Sequence, residues 1–431
     1  MVLTLFSLVF ALTLLIGVPI SFCLGLATIA ALLFWKEASL FIIAQTATSG
    51  MGSFPMMAIP FFLMAGDLMG VGGIVKKLVD FCNLLVGRFR GGLAHTTILS
   101  EMIFSGVTGS AAADTAAIGS ILIPAMVEEG YDLSFSAAVT SASCTLGPII
   151  PPSICMVIYA VIAGDISIGA LFAAGFLPGA ITGLGFMVVS YVIARKRKYP
   201  VHKVKITLGG LLRSLGDASY ALVMPVFIMG ALILGVCTAT EVGALACLYA
   251  VIIGLFVTKK LKWKDLVTIA LRAGIITSSV LLLISVGYVA SWFFAVHQVA
   301  QKIGDFMLSV SSGPIPFLLF ANVILLIAGC LLDIGAGMVL LVPILLPIAA
   351  HYGVHPYHFA FVVNYALIIG LITPPVGVIL FVCVGMRKDL TMEQLVLALP
   401  PYLGVMLVVL MLVTFIPDVS LLVPRLFGMI K

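Results

Sequence analysis

Charge is what this chain lacks most. Asp, Glu, Lys and Arg make up 9% of its 431 residues and hydrophobic residues 62%, whereas ordinary soluble domains carry about 25% charged residues. So little charge cannot cover a water-facing surface, which excludes a soluble globular protein; no nucleic-acid partner is expected. No Walker A sequence GxxxxGK[ST] occurs and no polar stretch is long enough for a nucleotide domain, so no nucleotide is expected as a cofactor and any work the chain does would draw on an ion gradient or a partner. The eight cysteines include no CxxC pair and read as small core hydrophobes rather than disulfides or metal ligands. The first apolar run, Val2 to Ile16, lacks a basic leader and a small-x-small cleavage site, so it reads as a retained helix. No catalytic set paired at one depth is visible, and the chain reads as a non-enzyme.

What is present is a series of apolar segments near the length of about 20 residues that crosses a bilayer. Leu3 to Val18 and Ile20 to Trp35 form two short spans, followed by a third from about Gly50 to Gly70. Val71 to Arg90 carries charges on a helical apolar pattern, as expected of an amphipathic interfacial helix. Gly91 to Gly130 is interrupted by SGVTGS and reads as two half-length helices in a re-entrant hairpin. Leu133 to Ala163 is a span broken by GPIIPPS, because each Pro removes a backbone donor. Ile168 to Ala194 is a regular span ending in RKRK. The order then recurs: a short pair (Ser219 to Leu234, Glu241 to Thr258), a span (Leu266 to Phe294), an amphipathic segment (His297 to Ser309), an interrupted hairpin (Pro314 to Gly353), a broken span (His358 to Val384) and a last span (Leu395 to Ile416).

The recurrence has a fixed register. A displacement of 223 takes Gly106 to Gly329, Pro124 to Pro347, Gly130 to Gly353, Gly147 to Gly370, Pro151 to Pro374 and Pro152 to Pro375. Each half crosses five times, and an odd count inverts the second half. With both termini on the periplasmic side, 17 of the 22 Lys and Arg residues fall inside and four outside (Lys36, Lys302, Arg425, Lys431), with Arg272 inside a span, in keeping with the positive-inside rule. The expected fold is an all-α polytopic membrane protein of two inverted repeats, each with five spans, an arm helix and a re-entrant hairpin.

The polar breaks carry the chemistry. Backbone that leaves the helix at bilayer depth needs protein or water as its partner, and inverted halves with midplane broken helices mark secondary transporters. Helix N-termini at the hairpin tips suit an anion. Freed carbonyls and hydroxyls suit a hard cation such as Na⁺. One cation site per half is expected: the first at Ser105, Ser110, Gly147 and Ile150, the second at Gly329, Asp333, Gly370 and Thr373. The anion would lie between them, near Ser105, Thr108, Gly109, Ser110, Pro151, Pro152, Ser153, Gly335, Pro374 and Pro375.

Asp114 starts the second limb of the first hairpin and reads as a helix cap or a gating residue. Asp333, in the apolar context GCLLDIGAG, reads as an ion ligand or a stabiliser of the second tip. Glu101 and Glu241 are placed near helix ends, within reach of the interface. Arg272 is expected to snorkel to the cytoplasmic interface or to meet a carboxylate. His351, His355 and His358 imitate zinc spacing without an acid or thiol partner and are read as polar loop residues.

FSGVTGSAAADTAAIGSILIPAM, followed by GYD and GPIIPPS, and NYALIIGLITPPVG in the second half resemble the large, DctM-like membrane subunit of tripartite ATP-independent periplasmic (TRAP) transporters over essentially the whole chain. The resemblance implies an ion-transporter-superfamily fold, an elevator mechanism, Na⁺ coupling and a bacterial inner-membrane location. It also implies a separate small four-helix membrane subunit and a periplasmic substrate-binding protein that delivers a C4-dicarboxylate, sialic acid or another sugar acid. The alternative is a stand-alone carboxylate or ion exchanger of the same superfamily. On this division, 1–70 and 206–296 are scaffold, 71–90 and 297–313 arm helices, and 91–165 and 314–386 the transport domain. Residues 166–205 are a span and basic linker, and 387–431 hold the last span.

Overall fold

The computed structural model describes residues 1–35, 40–164, 166–201, 208–310 and 313–430. Lys36, His202, Lys203, Lys205 and Lys431, used above for the charge bias and the basic linker, lie outside the described residues, as do 311 and 312 at the end of the second arm. Among the described residues the regular structure is helical, without strands. The first half comprises α1 (Val2–Leu15), α2 (Ile20–Trp35), α3 (Leu40–Met51), α4 (Ala58–Val71), α5 (Ile74–Val86), α6 (Gly92–Thr108), α7 (Ala111–Glu128), α8 (Leu133–Cys144), α9 (Ile154–Ala163) and α10 (Ile168–Lys196). The second comprises α11 (Leu208–Ile233), α12 (Ala239–Ile252), α13 (Trp263–Val296), α14 (Val299–Val310), α15 (Pro314–Leu331), α16 (Ile334–His351), α17 (Pro356–Gly370), α18 (Val378–Met386), α19 (Met392–Ala398), α20 (Pro400–Phe415) and α21 (Asp418–Leu426). Eight helical segments among the described residues are long and apolar enough to cross a membrane, and the bent pair α19–α20 makes a ninth. The chain is a multi-pass membrane protein.

The helix boundaries keep the register seen in the Gly and Pro positions. Displaced by 223, the end of α6 at Thr108 falls on the end of α15 at Leu331, and the start of α7 at Ala111 falls on the start of α16 at Ile334. The end of α7 at Glu128 falls on His351, the start of α8 at Leu133 on Pro356, and the end of α9 at Ala163 on Met386. The pairing of elements is reciprocal as well: α7 packs against α18, and its counterpart α16 packs against α9.

Three expectations change. The expected third span is present as the 3-10 turn Phe54–Met57, which holds Pro55, continuing into α4, but two helices, α3 and then α4, stand where the sequence reading placed one. The first of them hid behind its hydroxyls, which bond back along the helix: Thr48 Oγ1 to the Ala44 carbonyl at 2.9 Å and Ser49 Oγ to that of Gln45 at 2.9 Å. Next, α11 runs for 26 residues rather than starting near Ser219; Asp217, on its extension, meets Lys77 of the arm helix α5 at 3.6 Å. Finally, the hairpin limbs are not half-length. α6 has 17 residues and α7, α15 and α16 have 18 each, roughly 26 Å at 1.5 Å per residue. Gly109 turns the chain between the limbs of the first hairpin at φ 61°.

The arm helix α5 is amphipathic as expected, burying Ile74, Val75, Leu78, Val79, Phe81 and Cys82 while Lys76 and Asp80 are exposed. Lipid tails offer no hydrophobic drive between helices, so close packing and polar links hold them. α10 presents Gly175, Gly179 and Gly183 one turn apart, and Cβ atoms there would fall on Ile149, Ile150 and Met102. Thr182 and Tyr365 share a hydrogen bond at 2.7 Å and Ser190 and Tyr402 one at 2.9 Å, both joining α10 to the second half.

Candidate functional site between the hairpin tips

Gly109 ends α6 with a left-handed turn, and a Cβ there would fall against the carbonyl of Pro152 and the amide of Ile154. The first tip therefore rests on the first break. Ser153 rebuilds the helix beyond that break: its Oγ donates to the Pro148 carbonyl at 2.8 Å and accepts from the Met156 amide at 3.3 Å, capping α9. Asn364 Nδ2, from α17, also donates to the Pro148 carbonyl, at 2.9 Å. That carbonyl is thus used by both halves. Among the described residues nothing donates to the carbonyls of Gly147 or Ile150. In the second half the Val376 amide donates to the Cys330 carbonyl at 3.3 Å, and Thr373 Oγ1 donates to Ile369 at 2.7 Å.

The two tips and two breaks enclose one cavity of about 420 Å³. Gly109 and Ser110 line it from the first tip, Asp333 and Gly335 from the second, and Pro148 and Leu371 from the breaks. The first turns of α7 and α16 both open onto it; no side chain caps α7, whereas at α16 the Gly335 amide is already taken by Asp333. Its far wall is apolar, formed by Ile59 and Leu63 of α4 and by an α13 stripe at Ile275, Ile276, Ser279, Val280 and Leu283.

The remaining residues expected at the site lie around this cavity, not on its wall. Ser105 is buried with its Oγ donating to the Met102 carbonyl at 3.3 Å, and Thr108 is turned toward Asp114. Pro151, Pro152 and Ser153 are buried, whereas Pro374 and Pro375 are exposed; both Pro–Pro peptide bonds are cis. Gly329 and Gly370 touch backbone to backbone.

The two aspartates differ from each other. Asp333 is exposed to the cavity and Oδ2 accepts from the Gly335 amide at 3.0 Å, so it caps α16 and holds the second tip. Asp114 caps no helix. It is buried, its Oδ1 accepts the Thr108 hydroxyl across the tip, and its Oδ2, beside Gly147, has no partner among the described residues.

Glu101 corrects the sequence reading. It lies mid-way along α6, wholly buried, with Oε1 accepting from Cys144 Sγ at 2.9 Å. The apolar run Met102 to Phe104 after it was the signal of burial available in the sequence, but its depth depends on how far α6 extends. Glu241, by contrast, is in the first turn of α12 and forms a capping box with Thr238. Arg272 meets a carboxylate, Asp67 Oδ2, at 3.9 Å. His358 Nε2 bonds the Val413 carbonyl at 2.9 Å. Sequence reading missed Asn364 and the α13 stripe; a lone amide in the apolar run of α17 was the available signal for Asn364.

Residues 7–419 match the family described as "Tripartite ATP-independent periplasmic transporter, DctM component". The chain is 38% identical to the C4-dicarboxylate TRAP transporter large permease protein of Pseudomonas aeruginosa, covering 87% of each chain. It is 36% identical to the sialic acid TRAP transporter large permease protein of Vibrio cholerae, covering 95% of this chain and 96% of that one. Its fold is similar to that of the Alcanivorax borkumensis YdaH transporter, with a TM-score of 0.62, 14% identity and coverage of 90% and 89%. These relatives are transporter permeases, not enzymes, and the chain belongs to the family of DctM components of tripartite ATP-independent periplasmic transporters.

Proposed function

We propose that this permease imports an organic acid together with Na⁺, taking the acid from a periplasmic binding protein and working beside a small membrane subunit in the bacterial inner membrane. The observation that carries the reading is the single cavity onto which both hairpin tips and both breaks open. The α7 N-terminus is electropositive by its free N–H groups and suits a carboxylate. Asp333 presents a carboxylate to the same cavity from the other tip, where it would repel an acid unless a cation stood between them. Na⁺ on the Asp333 side, with Gly329, Gly370 and Thr373 close to the second break, answers that repulsion. The unpartnered carbonyls of Gly147 and Ile150 favour a second Na⁺ beneath the first tip, with the hydroxyls of Ser105 and Ser110 near it.

The reciprocal packing of α7 with α18 and of α16 with α9 supports two repeats related by a two-fold axis. Five crossings per half would place that axis in the membrane plane, as alternating access requires. The hairpins and broken helices would then form the moving body, and the arms α5 and α14 would link it to the scaffold. Relatives named for sialic acid and for C4-dicarboxylates favour an acid of that class as substrate.

The test is uptake into proteoliposomes holding the permease and its small subunit, with and without the binding protein. Uptake that requires both an inward Na⁺ gradient and the loaded binding protein is expected. Uptake indifferent to both would sink the reading, and uptake that needs Na⁺ but no binding protein would identify a stand-alone exchanger.

A further inference from the structure

A second cavity, of about 310 Å³, lies beside the first, on the other side of the first hairpin tip. Ala112 lines one and Ala113 the other, so the first turn of α7 stands between them. Two helices wall both. On α4 the lining positions run Ile59, Leu63, Gly66, Asp67, Gly70, and on α13 they run Arg272, Ile275, Ile276, Ser279, Val280, Leu283. Both sets follow the three- and four-residue steps of one helix face. One face of α4 and one face of α13, roughly 16 Å long on α13, thus wall first the apolar central cavity and then the charged one. Gly73, on the wall of the charged cavity, lies against Lys260, one of the exposed lysines 259, 260 and 262 that precede α13 and are followed by Lys264 in its first turn.

The charged end is not a requirement of the fold. Arg272, Lys76 and Asp67 line it, and Asp67 Oδ2 holds the Arg272 guanidinium at 3.9 Å. In the 223-residue register their counterparts are Ser49, Val299 and Ala290, all neutral. Among the side chains lining this cavity two cations face one carboxylate, with Asp80 near Lys76 but outside the lining, and the repeat places no matching charge on the other side of the tip.

We propose that Arg272 and Lys76 form an anion-receiving vestibule that takes the carboxylate of the carried acid as it passes the first hairpin tip toward the lysine-rich face. This deepens the transport reading and rests on it. Carboxylate and lipid phosphate share the chemistry this vestibule recognises, and the test separates them.

Ser120, exposed on the vestibule wall, supplies the probe site. Ser120→Cys is reacted, in the purified complex in phosphatidylcholine nanodiscs, with an anionic sulfonatoethyl and a cationic trimethylammonium methanethiosulfonate, and the unsubstituted chain sets the background. The anionic reagent is expected to react faster, and Arg272→Gln to cut the anionic-to-cationic rate ratio on the order of fivefold, as loss of one nearby charge at intermediate dielectric implies. Arg272→Lys is expected to restore the ratio, and the acid found in the uptake assay to protect the thiol. An unchanged ratio in both Arg272→Gln and Lys76→Gln overturns the proposal. So does protection by added anionic lipid but not by the acid. If the complex carries no acid at all, the transport reading fails in the uptake assay, while the reagent ratio still decides whether the vestibule attracts anions.

Discussion

The backbone of Gly370, at the second break, lies so close to that of Gly329 in α15 that no Cβ fits between them: one built on Gly370 would fall on the Gly329 carbonyl group. The pair occupies the positions that the 223-residue register assigns to Gly147 and Gly106. In the first half a Cβ on Gly147 would instead meet the Asp114 carboxylate. The two breaks are thus built in one register but clamped differently.

Gly370→Ala should therefore destabilise the permease by about 1–3 kcal/mol, the usual cost of overpacking, and lower its thermal unfolding temperature in detergent. Gly385→Ala, where a Cβ meets nothing within 4 Å, is the control and should leave that temperature within error. Equal behaviour of the two would remove the backbone clamp.

Asp333 combines a cap with a cavity-facing charge, and substitution separates the two. Asparagine caps a helix about as well as aspartate, so Asp333→Asn should keep the folded stability while weakening Na⁺ dependence of uptake by roughly tenfold, the factor that about 1.4 kcal/mol represents. Asp333→Ala should lose both. Unaltered Na⁺ dependence in both variants, and in Ser110→Ala, would take the tips out of the cation sites.

The Thr108 hydroxyl donates to a buried carboxylate whose other oxygen lacks a partner among the described residues. Thr108→Val should cost about 1–3 kcal/mol, because the desolvated Asp114 oxygen is left with less compensation. Thr108→Ser should recover most of it. Thermal unfolding with and without Na⁺ checks this, and Na⁺ should offset part of the Thr108→Val loss if a cation shares the Asp114 region.

Two Na⁺ carried with a monocarboxylate move one net charge inward. An inside-negative potential of 100 mV then adds about 2.3 kcal/mol, about 40-fold more accumulation. With a doubly charged acid the same potential should change nothing. Uptake under valinomycin-clamped potassium potentials measures the difference.

Outside the spans, the Tyr199 hydroxyl donates to Asp132 Oδ2 at 2.6 Å and Arg197 pairs with the same oxygen. The Tyr199 bond first, and Arg197 after it, hold the Asp132 carboxyl below its ordinary range. Its contribution to stability is present above the ordinary carboxylate pKa, near 4, and is lost as pH falls through the depressed value. The group is half exposed, so solvent screening keeps it under about 1 kcal/mol. Asp132→Asn should lower the unfolding temperature slightly at neutral pH and not at all at the acid end of a series from pH 7 to pH 3.

Much of the frame was legible along the chain. Gly109, and Gly147 and Pro151 with their counterparts Gly370 and Pro374, marked a turn and the two breaks because a backbone group freed in a bilayer has few ways to be satisfied, and Gly and Pro are the residues that free it. The helix boundary at Thr108 follows from the same punctuation, whereas α15 ends at Leu331 before Leu332 and Asp333, without Gly or Pro. α3 escaped because its Thr and Ser hydroxyls look like a loop and behave as helix. Glu101 escaped because its depth along α6 depends on how far the hairpin limb extends.

By itself, the sequence determined that the protein lives in a membrane, that its Gly and Pro positions recur at a fixed displacement, and that polar breaks interrupt its apolar segments at two hairpin tips and two broken helices. These are local properties, set by apolar runs and by residues that end helices. Only the tertiary structure decided that Asp333 caps while Asp114 is buried against Thr108, that Pro148 is held by Asn364 from the other half, and that one face of α13 walls both cavities. Those outcomes depend on which helices become neighbours, and the partner that satisfies a buried polar group is most often distant in the chain.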